Sequence, residues 1–170
     1  MVRRSARHTA IAGRNMVAIM NEALELTPGL QVLEVGAGSG YHAATIAEQV
    51  GVLGHVYTIE ALTELVDFAR KNLERAGYSD RITLVNGDGS LGYKDRAPYD
   101  RILVTAAAPR VPEQLLEQLK PRGVLLIPVG GRLFPQELVK VEKEPGGGLK
   151  RSALGGVAFV PLIGKEGFDA

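Results

Sequence analysis

The sequence predicts one α/β domain with a doubly wound, mostly parallel Rossmann-like sheet, helices on both faces and a C-terminal antiparallel hairpin. Three observations support this class. Short runs of β-branched residues alternate with longer helical patterns, as in parallel α/β sheets. One of the predicted strands runs directly into a glycine-rich loop and a helix. Near the C-terminus, two strand-like runs flank a glycine-rich turn with no helix between them.

The elements follow in a regular order along the 170 residues. Apolar residues at helical spacing predict a first helix over residues 15–26, which Thr27-Pro28-Gly29 ends. Runs rich in β-branched and apolar residues predict five strands, at 30–35, 55–59, 82–86, 99–105 and 124–129. Helical patterns between them predict helices at 41–50, 63–76 and 112–119, with a turn at 120–123. The runs 136–144 and 149–162 enclose a turn with three glycines and form the predicted hairpin.

Composition excludes several classes of function. The chain has no Cys and three widely spaced His, so neither a disulfide scaffold nor a metal site is predicted. A net charge of +1 excludes a strongly basic nucleic-acid coat, and nucleic acid is not an expected partner, although a local basic patch stays compatible with this composition. No apolar run approaches the ~20 residues of a membrane span, and no signal-type run follows the N-terminus. We therefore expect a cytoplasmic protein without a membrane partner, and the sequence leaves its oligomeric state open.

The strongest motif is the glycine loop after the first predicted strand. Gly36, Gly38 and Gly40 stand at alternate positions between that strand and a helix. The first glycine permits a tight turn, and the others let a ligand approach backbone N–H groups at the start of the helix. The spacing differs from the G-x-G-x-x-G of dinucleotide oxidoreductases, and there is no Walker pattern. The loop also carries no Lys or Arg that could neutralise a phosphate.

Two carboxylates follow the next two strands. Glu60 ends the second strand, 24 residues after Gly36, where a carboxylate can accept both hydroxyls of a ribose. Free ribose hydroxyls are compatible with NAD, adenosine and S-adenosylmethionine alike, and a solvated helix-capping Glu is the alternative. Asp88 stands among glycines after the third strand, beside the expected position of an adenine amine; an ordinary turn Asp is the alternative there. Together the three strand ends predict a site for an adenosine without phosphates.

With these residues in place, the chain resembles the class I S-adenosylmethionine-dependent methyltransferases, and more narrowly the protein-L-isoaspartate O-methyltransferase family. The resemblance covers residues 9–164. The most specific stretches are GDGSLGY at 87–93, APYDRILVTAAAP at 97–109 and FVPL at 159–162. It implies transfer of a methyl group from S-adenosylmethionine to the free carboxylate of L-isoaspartyl residues in damaged proteins, a repair activity.

The resemblance also implies site residues. Those expected to bind the cofactor are Glu34, Gly36, Ala37, Gly38, Ser39, Gly40, Glu60, Ala61, Asp88, Gly89 and Thr105. Within that set, Glu60 is expected to hold the ribose, and Asp88 with Gly89 the adenine. Residues expected on the substrate side, near the transferring methyl, are Ile11, Ala12, Thr105 and Ala106. No catalytic residue is named, because a carboxylate acceptor needs alignment rather than a strong base.

The N-terminus departs from the family pattern. Ala12 stands where the family has an active-site Ser, and few residues precede this point where relatives carry a helical cover. We therefore divide the chain into a short basic segment, 1–14, and a methyltransferase domain, 15–164. Two alternatives stay open: a methyltransferase of the same fold acting on another substrate, such as tRNA or a small molecule, and a catalytically inactive cofactor-binding module.

Overall fold

Residues 13–170 are built around one seven-stranded sheet. The structure, a computed structural model, describes residues 13–170. Its helices are α1 (Arg14–Ala23), α2 (Tyr41–Val50), α3 (Thr63–Arg75) and α4 (Glu113–Glu117). Its strands are β1 (Gln31–Val35), β2 (His55–Glu60), β3 (Ile82–Asn86), β4 (Tyr99–Val104), β5 (Leu119–Gly130), β6 (Gln136–Lys143) and β7 (Leu149–Val157). None of these helices is long and apolar enough to cross a membrane.

The strand order fixes where a ligand can bind. The strands lie in the order β3-β2-β1-β4-β5-β6-β7, with β1 to β5 parallel and β6 and β7 antiparallel. The chain moves outward from β1 to β3 and then returns to place β4 on the other side of β1. Ligands of open α/β sheets bind at such a reversal, outside the carboxyl ends of the strands. The crevice beyond the ends of β1 and β4 is therefore the expected site.

Two apolar layers cover the sheet, and side-chain alternation on β1 shows how. Val32 packs with Met20 of α1 and Ile46 of α2 on one face, whereas Leu33 packs with Leu115 of α4 on the other. Leu73 of α3 joins the first layer. The predicted doubly wound sheet with helices on both faces is confirmed, as is the antiparallel hairpin.

The structure corrects some predicted boundaries. The first helix ends at Ala23, before the predicted residue 26, and Glu25 takes a left-handed backbone with φ 53°. The predicted turn at 120–123 lies inside β5 instead. Leu119 pairs with Tyr99, the register shifts before Arg101, and Arg122 has φ 66°, so the turn-like residues form an irregularity within a longer strand. The proposed basic segment falls outside the described residues except for its last two.

The end of the predicted hairpin also differs. The second hairpin strand was predicted to run to residue 162, but β7 ends at Val157. The following residues, Phe159–Leu162, leave β6 and return to the parallel part of the sheet. The Ala107 N–H donates to the Val160 carbonyl at 2.8 Å, and the Leu162 N–H donates to the Ala107 carbonyl at 2.7 Å. We call residues 159–162 the return segment; it covers the crevice beyond β4.

Candidate cofactor and substrate site

A cavity of about 200 Å³ lies in the crevice beyond β1 and β4. Its walls come from the glycine loop after β1, the end of β2, the residues after β4, one side of α1 and the return segment. The lining residues include Val17, Gly36, Gly38, His42, Glu60, Leu65, Thr105, Phe159 and Leu162. None of the described residues that line the cavity is a Lys or Arg. The described lining is mostly apolar and includes one carboxylate, that of Glu60.

The residue after β4 holds the start of the glycine loop. The Thr105 hydroxyl donates to the Gly36 carbonyl at 2.8 Å and lies 3.1 Å from the Val35 carbonyl. A Cβ atom on Gly36 would overlap that hydroxyl, and Gly36 has φ +100°. Glycine is the residue that can take this positive φ and that has no Cβ to overlap the Thr105 hydroxyl.

Glu60, the last residue of β2, organises the middle of the loop. One carboxylate oxygen accepts from the Gly38 N–H at 3.1 Å, and the other accepts from the Leu62 N–H at 3.1 Å. The Glu60 side chain is buried yet lines the cavity. Each carboxylate oxygen has a second lone pair, so the same group can also accept from ligand hydroxyls.

Glu34 lies beneath the loop rather than in the cavity wall. It is fully buried on β1, and the Thr58 hydroxyl donates to its Oε2 at 2.5 Å. Its Oε1 has no hydrogen-bond partner among the described residues. Burial raises the pKa of Glu34 to about 8, assisted by the negative charge of Glu60 and opposed by the Thr58 hydrogen bond. Glu34 is therefore mostly neutral at pH 7.

Asp88 lies outside the residues that line the cavity. Its Oδ1 accepts from the Ser90 N–H at 2.9 Å and from the Ser90 hydroxyl at 2.6 Å. Its Oδ2 accepts from the Lys165 N–H at 2.9 Å, which ties the turn at residues 164–167, the C-terminal turn, to the end of β3. The neighbouring Gly89 does line the cavity. One lone pair of Oδ2 is still free, so Asp88 can also accept a hydrogen bond from an adenine amine. That contact stays a prediction.

The predicted residues thus fall into three groups. Those that line the cavity are Gly36, Ala37, Gly38, Ser39, Glu60, Ala61, Gly89, Thr105 and Ala106. Those that support it from behind or beside are Glu34, Gly40 and Asp88. Ile11 and Ala12 lie outside the described residues. The binding roles themselves stay predictions, although nine of these residues share one cavity wall.

Two parts of the wall were not predicted from the sequence. His42, the second residue of α2, lines the cavity, and so does the return segment. The position of His42, two residues after Gly40, was an available signal. The FVPL motif of the return segment was an available signal of the family, but its place beside Ala107 depends on a contact between residues far apart in sequence.

Comparison with known proteins agrees with this geometry. The sequence model of the Protein-L-isoaspartate(D-aspartate) O-methyltransferase (PCMT) family matches residues 4–167. A protein-L-isoaspartate O-methyltransferase of Methanopyrus kandleri is 58% identical over 163 residues, which are 96% of this chain and 72% of that protein. One of Methanosarcina mazei is 54% identical over 158 residues, 93% of this chain and 64% of that protein.

Solved structures show the same relationship. A protein-L-isoaspartate O-methyltransferase superposes with a TM-score of 0.81 at 32% identity, covering 89% of this chain and 47% of that one. A Plasmodium falciparum protein assigned to the same activity, crystallised with S-adenosyl-L-homocysteine, has a TM-score of 0.81 at 27% identity, covering 92% of this chain and 77% of that one. This chain therefore belongs to the protein-L-isoaspartate O-methyltransferase family of S-adenosylmethionine-dependent methyltransferases.

Proposed function

We propose that this chain transfers the methyl group of S-adenosylmethionine to the free carboxylate of L-isoaspartyl residues in proteins and peptides. The observation that carries the proposal is the cavity that Glu60, the glycine loop and the return segment enclose in a chain of this family. Proteins and peptides, rather than nucleic acid, are the proposed partners.

The cavity wall fits the methyl donor. Glu60 presents a carboxylate for the ribose hydroxyls, and the space around Gly38 is open, with no atom within 4 Å of the position a Cβ would take. The absence of Lys and Arg from the described lining suits a ligand that carries a sulfonium cation and no phosphate. S-adenosylmethionine, when bound, supplies a methyl group already activated by the positive sulfur.

The proposed reaction requires the protein mainly to align the methyl donor with the acceptor and to exclude water. A carboxylate acceptor is ionised at neutral pH, so no side chain has to remove a proton from it. Val17, Leu65 and Phe159 make the wall apolar, which keeps water from competing with the acceptor. Thr105 and Glu60 hold the loop in one conformation, so the donor and acceptor can be fixed in line.

The return segment forms the proposed boundary between cofactor and substrate. Its backbone is hydrogen-bonded to Ala107, immediately after the Thr105 and Ala106 positions expected near the methyl group. Val160 is 39% exposed although it is apolar, which is suitable for contact with a peptide. Substrate and cofactor would then meet at the carboxyl end of β4.

Methyl transfer from labelled cofactor to matched peptides tests the activity. We expect label in a peptide containing L-isoaspartate and none in the same peptide containing aspartate. Because the label is carried by a carboxyl ester, it should be released by mild base. Transfer to tRNA but not to the isoaspartyl peptide would overturn the proposal, as would cofactor binding with no acceptor.

A carboxylate variant tests the cofactor site separately. Replacement of Glu60 by Ala should weaken S-adenosylmethionine binding by about 10- to 100-fold in calorimetry, the scale of losing hydrogen bonds to a charged group. Glu48→Ala is the matched control, since Glu48 is exposed and pairs with Arg81 away from the cavity. Equal affinities for both variants would contradict the role given to Glu60.

A further inference from the structure

His42 is a buried polar side chain in the cavity wall that the proposed reaction does not use. It is 7% exposed, and its Nε2 lies 2.9 Å from Asn21 Oδ1 of α1. Its other ring nitrogen, Nδ1, is buried and has no hydrogen-bond partner among residues 13–170. A buried polar atom without a partner is costly unless something fills its place.

The surrounding hydrogen bonds determine which nitrogen carries the proton. The Thr45 hydroxyl donates to the His42 carbonyl at 2.7 Å, so Thr45 Oγ1 can only accept from Asn21 Nδ2, at 3.1 Å. The amide oxygen of Asn21 must then face His42, and the His42 Nε2–H donates to it. Burial lowers the pKa of His42 to about 4, so the ring is neutral at pH 7. Nδ1 is therefore an unprotonated acceptor on a residue that lines the cavity.

The place of His42 identifies the kind of group it would bind. A free acceptor calls for a donor, and S-adenosylmethionine has two nitrogen donors: the adenine amine and the α-ammonium of its methionine end. The adenine is expected at the end of β3, two strands from β1. His42 instead follows the glycine loop after β1 and contacts Asn21 of α1. Since β1 lies on the side of β2 away from β3, His42 is on the opposite side of Glu60 from the expected adenine. The ammonium is the donor on that side.

We infer that His42 Nδ1 accepts a hydrogen bond from the α-ammonium group of the bound cofactor and so positions its methionine end. The inference rests on the proposed cofactor site. His42 is a cofactor-positioning residue, and no proton is transferred. Its network with Asn21 and Thr45 fixes the ring so that the acceptor is in place before the ligand arrives.

Two amide variants separate the acceptor from the structural network. In His42→Asn the amide oxygen can take the place of Nδ1, but contact with Asn21 is lost. In His42→Gln the terminal amide can still donate to Asn21, but no acceptor stands at the Nδ1 position. We expect affinity for S-adenosylhomocysteine to fall about tenfold or more in His42→Gln and to stay within about threefold of the original chain in His42→Asn. The reverse order would show that His42 acts only through the network.

A shortened ligand provides the control. 5′-Methylthioadenosine shares the adenosine and sulfur but lacks the amino-acid end, so its affinity should be equal in the original chain and both variants. If the original chain binds neither ligand, the proposal of a cofactor site is wrong, and so is the inference about His42. If it binds both and His42→Gln binds S-adenosylhomocysteine equally well, only the role of His42 is wrong.

A measurement on the unaltered chain covers the case in which the variants do not fold. The nitrogen-15 resonance of His42 Nδ1 reports whether that atom accepts a hydrogen bond. We expect it to move toward lower frequency when S-adenosylhomocysteine binds and not when 5′-methylthioadenosine binds. Equal shifts with both ligands, or none with either, would overturn the inference.

Discussion

The neutral state of buried Glu34 makes the stability of this protein depend on pH in a specific direction. The ordinary pKa of Glu is 4.5, whereas that of Glu34 is raised to about 8 by burial. Between these values the folded chain keeps the Glu34 proton and the unfolded chain loses it. Stability from this group is complete below pH 4.5 and is lost as the pH rises toward 8. Glu34→Gln keeps the shape and a partner for Thr58 but cannot ionise.

The size of the effect follows from the two pKa values. Each pH unit within the window lowers the free energy of unfolding by about 1.4 kcal/mol relative to a variant that cannot titrate. From pH 4.5 to pH 7 the loss reaches about 3 kcal/mol, a large part of the about 5–15 kcal/mol that stabilises an ordinary domain. Glu34→Gln should therefore gain stability over the original chain as the pH rises.

Urea denaturation at a series of pH values measures this difference. The free energy of unfolding of Glu34→Gln minus that of the original chain should rise by about 1.4 kcal/mol per pH unit between pH 5 and pH 7.5. Glu48→Gln is the control, because hydrogen bonding to Arg81 lowers the pKa of Glu48 and keeps it ionised across this range. If the difference in free energy of unfolding between Glu34→Gln and the original chain varies with pH as little as it does for Glu48→Gln, the argument that burial holds Glu34 neutral is refuted.

Substitutions at two glycines, Gly36 and Gly164, test the contacts of the glycine loop and of the C-terminal turn. Gly36→Ala places a Cβ atom against the Thr105 hydroxyl at φ +100°, so we expect a loss of about 1–3 kcal/mol in urea denaturation and weaker cofactor binding. An unchanged denaturation midpoint would contradict this. Gly164→Ala overlaps the Asp88 carboxylate, which should speed amide hydrogen exchange in the C-terminal turn, whereas Gly146→Ala meets nothing within 4 Å and serves as control. Similar exchange in both variants would show that the turn does not depend on Asp88.

The sequence predicted much of the fold and the main features of the cavity because both depend on local patterns. Strand-end residues such as Gly36, Glu60 and Thr105 are brought together by parallel topology alone. The run of β-branched residues and the alternate glycines therefore sufficed to place them in one wall. The family assignment followed mainly from the stretches at 87–93, 97–109 and 159–162, and the comparisons confirm it.

The remainder depends on contacts between distant residues. No local pattern shows that residues 159–162 pair with Ala107, since the preceding strand could have continued. The state of His42 likewise depends on Asn21, 21 residues earlier. Asp88 followed the predicted strand end, but its oxygens engage Ser90 and Lys165, the latter 77 residues away. Sequence spacing locates such groups without showing which hydrogen bonds they make.

These long-range contacts bear on how the loop would bind its ligand. Each part of the glycine loop is held by a different element: Gly36 by Thr105 after β4, Gly38 by Glu60 of β2, and the Ser39 carbonyl by Asn72 of α3 at 3.0 Å. The conformation of the loop is thus determined by folding. Binding then need not supply the free energy to order it, which leaves more of the interaction energy for affinity. Variants at Thr105 or Asn72, neither of which supplies the ribose carboxylate, should therefore still weaken cofactor binding through the loop they hold.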